Sequence, residues 1–280
     1  FGPSASVNTA GLVVSTLDIK DSDFASNRYQ FKGTSSASII NQGVLKTEGG
    51  YVALLGSSLD NPGKIEAPSG SVALISGQAI AMEVLPNGLL KVLVSEGSLQ
   101  SLVQNGGLIQ ANGGQILLSA NAASNLMQSA INTKGVLQAQ SLEHRNGEIS
   151  LMASGPKGSI EVSGTLDVSG LSPGQTGGKI LVSAPSIDLV GATLVASGKL
   201  GGGTIQVGQP GSATVSMPDS TRSIVMNAAS TIQADAVTLG QGGNINLVAS
   251  DSTQAHGVLS AKGGALGGNC LLYTSDAADE

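Results

Sequence analysis

The chain has 280 residues, 40 of them glycine, with three phenylalanines, three tyrosines and no tryptophan. Its apolar residues are nearly all Ala, Val, Ile and Leu, which suit a narrow, repetitive interior better than a core built on large aromatic contacts. With 11% charged residues and a net charge of −6, the chain offers neither a basic surface for phosphates nor an aromatic platform for bases, which argues against nucleic-acid binding. No apolar run reaches the roughly 18 residues of a membrane-spanning helix.

Three segments follow one template of Asn, any residue, Gly, then branched residues around a glycine-containing turn. They begin at Asn41, Asn61 and Asn105 and run to Leu54, Leu74 and Leu118. The step from Asn41 to Asn61 sets the shortest period. A looser copy pairs Asn132 and Gly135 through Ala139 with residues 146–151. Short strands this poor in burial need neighbours, and coils of about 20 residues would stack Ile on Ile and Val on Val while pairing the backbone above and below. At about 4.8 Å per coil, some 11 to 13 coils would form a rod roughly 50–60 Å long. Asn41, Asn61, Asn105 and Asn132 are expected to stack at one turn as a ladder of amide hydrogen bonds.

Between the second and third copies, residues 81–85 and 89–94 are apolar runs around Pro86-Asn87-Gly88. An Asn-Gly between such runs signals a hairpin, here an antiparallel excursion outside the stack near residues 81–94. Ala122, Ala123, Leu126, Met127 and Ala130 have helical spacing and predict a short helix covering one side. Beyond residue 155 the asparagine fades, but alternating strands persist between glycine turns, as in Ser159-Ile160-Glu161-Val162, Lys179-Ile180-Leu181-Val182 and Asn244-Ile245-Asn246-Leu247. The period of two marks strands with one buried face.

The last eleven residues, Cys270 to Glu280, break this pattern and read as a translated sequencing adapter, Cys-Leu-Leu-Tyr-Thr-Ser being its signature. They carry the one cysteine, so the remainder offers no disulfide scaffold, Cys-ligated zinc site or thiol nucleophile. The expected organisation is a β-helix core over residues 1–155, further coils over 156–269, and the extraneous tail over 270–280.

The opening residues 1–19, with the block Gly11, Leu12, Ser15, Thr16, Leu17 and Asp18 at its heart, are similar to the two-partner-secretion domain of filamentous haemagglutinins, haemolysins and contact-dependent inhibition exoproteins. Phe24, Phe31, the Asn-x-Gly coils, residues 163–170 and residues 174–180 extend the resemblance over essentially residues 1–269. It implies an all-β fold, a right-handed parallel β-helix with an extra-helical hairpin. It also implies a partner outer-membrane β-barrel transporter that recognises the domain in the periplasm and exports the chain unfolded, with folding outside the cell. The family motifs Asn-Pro-Asn-Leu and Asn-Pro-Asn-Gly-Ile do not occur here. The second is expected to precede Phe1 in a longer precursor, so the N-terminal cap is expected to be missing and the first coil to present an open edge. Host-cell surface or glycan contacts are expected only of a full-length exoprotein.

No catalytic, cofactor or metal site is expected. His144 with Arg145, and His256, read as solvated turns without a nearby carboxylate or second histidine. Asp18, Asp21 and Asp23 lack the glycine and distal glutamate of a calcium loop. The alternative function is a secreted polysaccharide-binding or polysaccharide-cleaving β-helix. It would require clustered carboxylates on one face.

Overall fold

The computed structural model describes residues 1–85, 89–98, 100–122, 129–142, 145–209, 220–268 and 272–274. Strand β1 (Ser6–Ser15) is followed by β2 (Asp18–Ile19), helix α1 (Asp21–Ala25), β3 (Tyr29–Lys32) and β4 (Ser38–Ile40). The first coil then turns through β5 (Val44–Gly56) and β6 (Ser58–Asn61), and the second through β7 (Lys64–Glu66) and β8 (Ser71–Ser76). An excursion through β9 (Ala79–Val84) and β10 (Leu90–Glu96) precedes β11 (Ser101–Asn105), β12 (Leu108–Gln110) and β13 (Gln115–Asn121).

Every coil-to-coil pairing is parallel, and β5 shows how a coil is made. It bends at Gly49, which has φ +67, so that Val44–Lys46 pairs with β7 and Tyr51–Gly56 pairs with β8. A third face pairs β4 with β6 and β6 with β11. The result is a three-faced parallel β-helix in which each residue meets its counterpart one coil away. Inside, Leu45, Ile65, Ile109, Leu137, Leu166, Leu194 and Ile232 form one column, all fully buried. Val52, Val72, Ile116, Ile149, Ile180 and Ile205 form a second. Burying each such side chain contributes about 1.5–3 kcal/mol, against the backbone entropy lost on ordering the coils. The glycines admit this close stacking. A Cβ on Gly107 would lie 1.9 Å from the carbonyl oxygen of Gly63, and one on Gly135 would lie 2.0 Å from that of Gly107.

The short period holds where Val44 pairs with Lys64, but later coils are longer. Leu108 pairs with Val136, and Thr193 with Thr231, each a wider step along the chain than the first. The described residues therefore stack eight levels deep below β1, from β5 to Val258–Ser260, rather than the 11 to 13 that a constant period gives. β1 lies parallel along both halves of β5, with Val7 opposite Leu45 and Leu12 opposite Val52. β1, paired on one side with β5, and β4, on the third face, are the outermost strands at that end among the described residues. The predicted helix over residues 122–130 lies mostly outside the described residues, while α1, five residues long, had no helical period to announce it. Within the tail, Leu272–Thr274 adds a parallel strand to Asn244–Leu247; an unpaired strand edge accepts any extended segment that reaches it.

Candidate functional site: an extra-helical sheet and a buried amide ladder

The hairpin of β9 and β10 is antiparallel, with Met82 opposite Val92 and Ile80 opposite Val94; its tip, residues 86–88, lies outside the described residues. It is half of a larger device. β3 pairs antiparallel with β9, and β2 with β3, giving a four-stranded sheet in the order β10-β9-β3-β2. Its inner face packs Phe31, Ile80, Met82 and Leu90 onto Ala53, Leu55, Ala73 and Ile75, which point outward from β5 and β8. A second apolar core therefore lies outside the helix. It explains why Val52-Ala53-Leu54-Leu55 and Val72-Ala73-Leu74-Ile75 are apolar at both phases: these strands are covered on both faces.

The N-terminal block carries the chain from one core to the other. Leu12 packs on the inner core and Leu17, 6% exposed, enters the outer one. Between them Ser15 Oγ accepts the Leu17 N–H at 2.9 Å, and the Thr16 N–H donates to the Leu55 carbonyl at 3.0 Å. Gly11 lies under the Tyr51 ring, whose Cζ would be 3.2 Å from an added Cβ. Burial, with Tyr29 nearby, raises the Tyr51 phenol above its usual pKa. Asp18 falls in β2, opposite Lys32. Asp21 and Asp23 fall in α1, where Asp23 is engaged by Arg28 at 2.9 Å.

The asparagines lie inside the third face. Asn41 Nδ2 donates to Asn61 Oδ1 at 2.7 Å, Asn61 Nδ2 to Asn105 Oδ1 at 2.7 Å, and Asn105 Nδ2 to the Gly107 carbonyl at 3.2 Å. Asn132 does not join them. The coil register sets Thr133 opposite Asn105, so Asn132 falls opposite Gln104 on the outer side, where it is partly exposed. The step from Asn105 to Thr133 is longer than that from Asn41 to Asn61 and leaves no constant period from which to fix that register. Thr133 is fully buried and its Oγ1 has no hydrogen-bond partner among the described residues.

Of the remaining residues weighed as sites, His144 lies outside the described residues. Arg145 is exposed and donates to the Ser69 carbonyl at 3.3 Å, and His256 is exposed. One grouping escaped the sequence. Glu161 and Asp188 are directly opposite on neighbouring strands of the third face. Burial, and then Glu161, raises the Asp188 carboxyl above its usual value. A full coil of sequence separates the two, and it hides their pairing until the coils are in register.

A family model described as the TPS secretion domain matches residues 1–168, which hold the first coils, the amide ladder and the whole extra-helical sheet. The chain belongs to the TPS, or two-partner-secretion, domain family. This TPS domain resembles the crystal structure of the HMW1 secretion domain from Haemophilus influenzae, with a TM-score of 0.79 and 25% identity over 99% of this chain and 74% of that one. The heme/hemopexin-binding protein of H. influenzae strain Rd is 28% identical over 221 residues, 70% of this chain and 23% of that protein. A second H. influenzae heme/hemopexin-binding protein is 28% identical over 172 residues, 53% of this chain and 18% of that one. The TPS domain thus spans less than a quarter of the length of those relatives. It is the secretion domain of an exoprotein exported across the outer membrane with a cognate transporter, in a family of secretion domains rather than of enzymes.

Proposed function

We propose that this domain leads a longer surface exoprotein out of the cell and then serves as the start of its folding, without catalysing any reaction. What supports this most is the uneven distribution of stabilising features. The amide ladder and the second core both lie within residues 1–168, whereas the later coils are held by the inner columns and by turn hydrogen bonds such as Ser230 Oγ to the Leu189 carbonyl and Ser260 Oγ to Asp235 Oδ1. A chain that emerges N-terminus first and unfolded would meet its most stable template first. Asn41, Asn61 and Asn105 serve in this reading as structural ladder residues, and the Gly11-to-Asp18 block as the passage between the cores. Binding of heme, hemopexin, host surface or glycan belongs to the full-length exoprotein. The test is to express the domain behind a signal peptide with and without its cognate transporter and to assay the medium. Transporter-dependent release supports the proposal; retention in the periplasm in both cases overturns it.

A polysaccharide-cleaving rod has one observation in its favour, the Glu161–Asp188 pair, since retaining glycosidases hold two carboxyls roughly 5–5.5 Å apart. The pair lies on the outer side of flat strands and lines neither the 610 Å³ nor the 190 Å³ cavity. Release of reducing ends from acidic polysaccharides, abolished by Glu161→Gln, would establish cleavage; no release above a buffer blank removes it.

A further inference from the structure

One corner of the rod carries leucines that its interior does not use. It joins the strands stacked on β12 to those stacked on β13, and in the early coils it is closed by Pro68-Ser69-Gly70 and Asn112-Gly113-Gly114. From Leu142 onward each level sets a leucine there: Leu142, Leu171, Leu200, Leu239 and Leu266. All five are exposed, Leu171 by 55%. With Val237 they make up six of the fourteen large apolar side chains exposed among the described residues. The exposure is therefore gathered at one corner rather than scattered, and a gathered patch marks a contact surface.

The levels are in register. Gly170 bridges Gly198, and Gly198 bridges Ala236, both in parallel, which sets Leu171, Lys199 and Val237 at one position on successive levels. The Leu239 N–H donates to the Lys199 carbonyl at 3.1 Å, and the Leu266 N–H to the Thr238 carbonyl at 3.0 Å. At about 4.8 Å per level, the five leucines form a ridge roughly 20 Å long. Arg145, Lys199 and Lys262 lie along it, and none of them forms an ion pair among the described residues. The nearby carboxylates are engaged within the turns. Asp167 accepts Gln140 Nε2 at 2.7 Å and the Ser169 N–H at 2.9 Å, and Asp235 accepts Ser260 Oγ at 2.6 Å and the Lys262 N–H at 2.7 Å. Free cations thus line an apolar ridge on a chain whose net charge is −6. Apolar side chains that enter the acyl boundary, beside ammonium groups that meet phosphates, are what an anionic bilayer binds.

We propose that this ridge rests on an anionic lipid surface, its leucines at the acyl boundary and Arg145, Lys199 and Lys262 on the headgroup phosphates. A second copy of the chain is the poorer occupant. Pairing two identical ridges would set the same cations against each other. Two convex edges also touch only along a line, whereas lipid yields around one. The inference needs only the folded rod and does not rest on the secretion reading.

The test is flotation of the folded chain with vesicles of phosphatidylcholine alone and with vesicles that also contain phosphatidylglycerol. The expected result is flotation with the anionic vesicles and not with the neutral ones, weakened by added salt. Lys199→Gln should weaken binding about fivefold, and Leu171→Ser combined with Leu200→Ser about tenfold. Val190→Ser, which removes an exposed apolar side chain from a different corner, should change nothing. The chain has no tryptophan, so Leu171→Trp places a single reporter on the ridge and Val190→Trp places one away from it. Anionic vesicles should shift the emission of the first to the blue and leave the second alone. Thermal melting identifies a variant that fails to fold, and the two tryptophan reporters carry the comparison if the serine variants do. The proposal is overturned if the chain floats with neither vesicle, if the folded leucine variants float as the parent does, or if both reporters shift alike. It is also overturned if the parent sediments as a dimer that Leu171→Ser dissociates while vesicles leave it in solution, which would assign the ridge to a second copy.

Discussion

At the scale of single residues, the buried amide ladder is the most exacting feature of the rod. Asn61 is fully buried and both donates to and accepts from its neighbours. Asn61→Ala strands one donor on Asn41 and one acceptor on Asn105, and with about 1–3 kcal/mol lost per unsatisfied group the expected destabilisation is about 3 kcal/mol in urea unfolding. A loss below about 0.5 kcal/mol would mean that the ladder is not formed in solution. Thr133 makes the opposite case, since its buried hydroxyl has no partner among the described residues. Thr133→Val keeps the shape, removes a polar group that burial penalises, and should raise stability by roughly 1 kcal/mol. Three rungs of this ladder were legible because Asn41, Asn61 and Asn105 share an Asn-x-Gly context. The fourth position was not, because a threonine occupies it and the asparagine beside it is a decoy.

At the scale of elements, apolar phase tells covered strands from bare ones. β8 is buried at every position, whereas Asn244–Leu247 alternates more exposed and buried residues. The hairpin could be read from two apolar runs around Asn-Gly, yet the sheet it completes could not. β2 and β3 span two and four residues, and no local turn ties Phe31 to Ile80 across the two coils between them. The outer core depends on those long-range pairs. Ile80, 2% exposed, is at its centre, and Ile80→Ala should cost about 2–5 kcal/mol. Hydrogen exchange should then show protection lost across β2, β3, β9 and β10 before the strands Thr204–Val207 and Asn244–Leu247. Uniform loss along the whole rod would mean that the outer sheet is not a separate unit of unfolding.

At the scale of the whole molecule, parallel in-register stacking repeats whatever it is given, including charge. Glu161 and Asp188 face the same way on adjacent strands, flanked in their column by Asn132 and Val225. The folded Asp188 carboxyl titrates above its unfolded value of 3.8, so the folded state binds its proton more tightly than the unfolded state does. Its contribution to stability is complete below 3.8 and is lost as pH rises through the raised folded value. The Asp188→Asn chain should therefore gain on the parent as pH is raised from 3 to 7, by a small margin because the group is only partly buried. Paired unfolding curves across that range check the sign; a gap that narrows with rising pH would show that neither burial nor Glu161 raises the Asp188 carboxyl.

Like-on-like stacking also makes the coil a unit that can be inherited. Thr165 and Thr193 occupy the same position one coil apart, each followed by a buried leucine, Leu166 or Leu194. Excising residues 165–192 joins Gly164 to Thr193 and brings Leu194 under Leu137, the contact Leu166 made before. Such a deletion should leave a shorter rod that still folds cooperatively. Lineages can therefore lengthen or trim the stalk in whole turns by slippage between similar gene segments, without redesigning any neighbour.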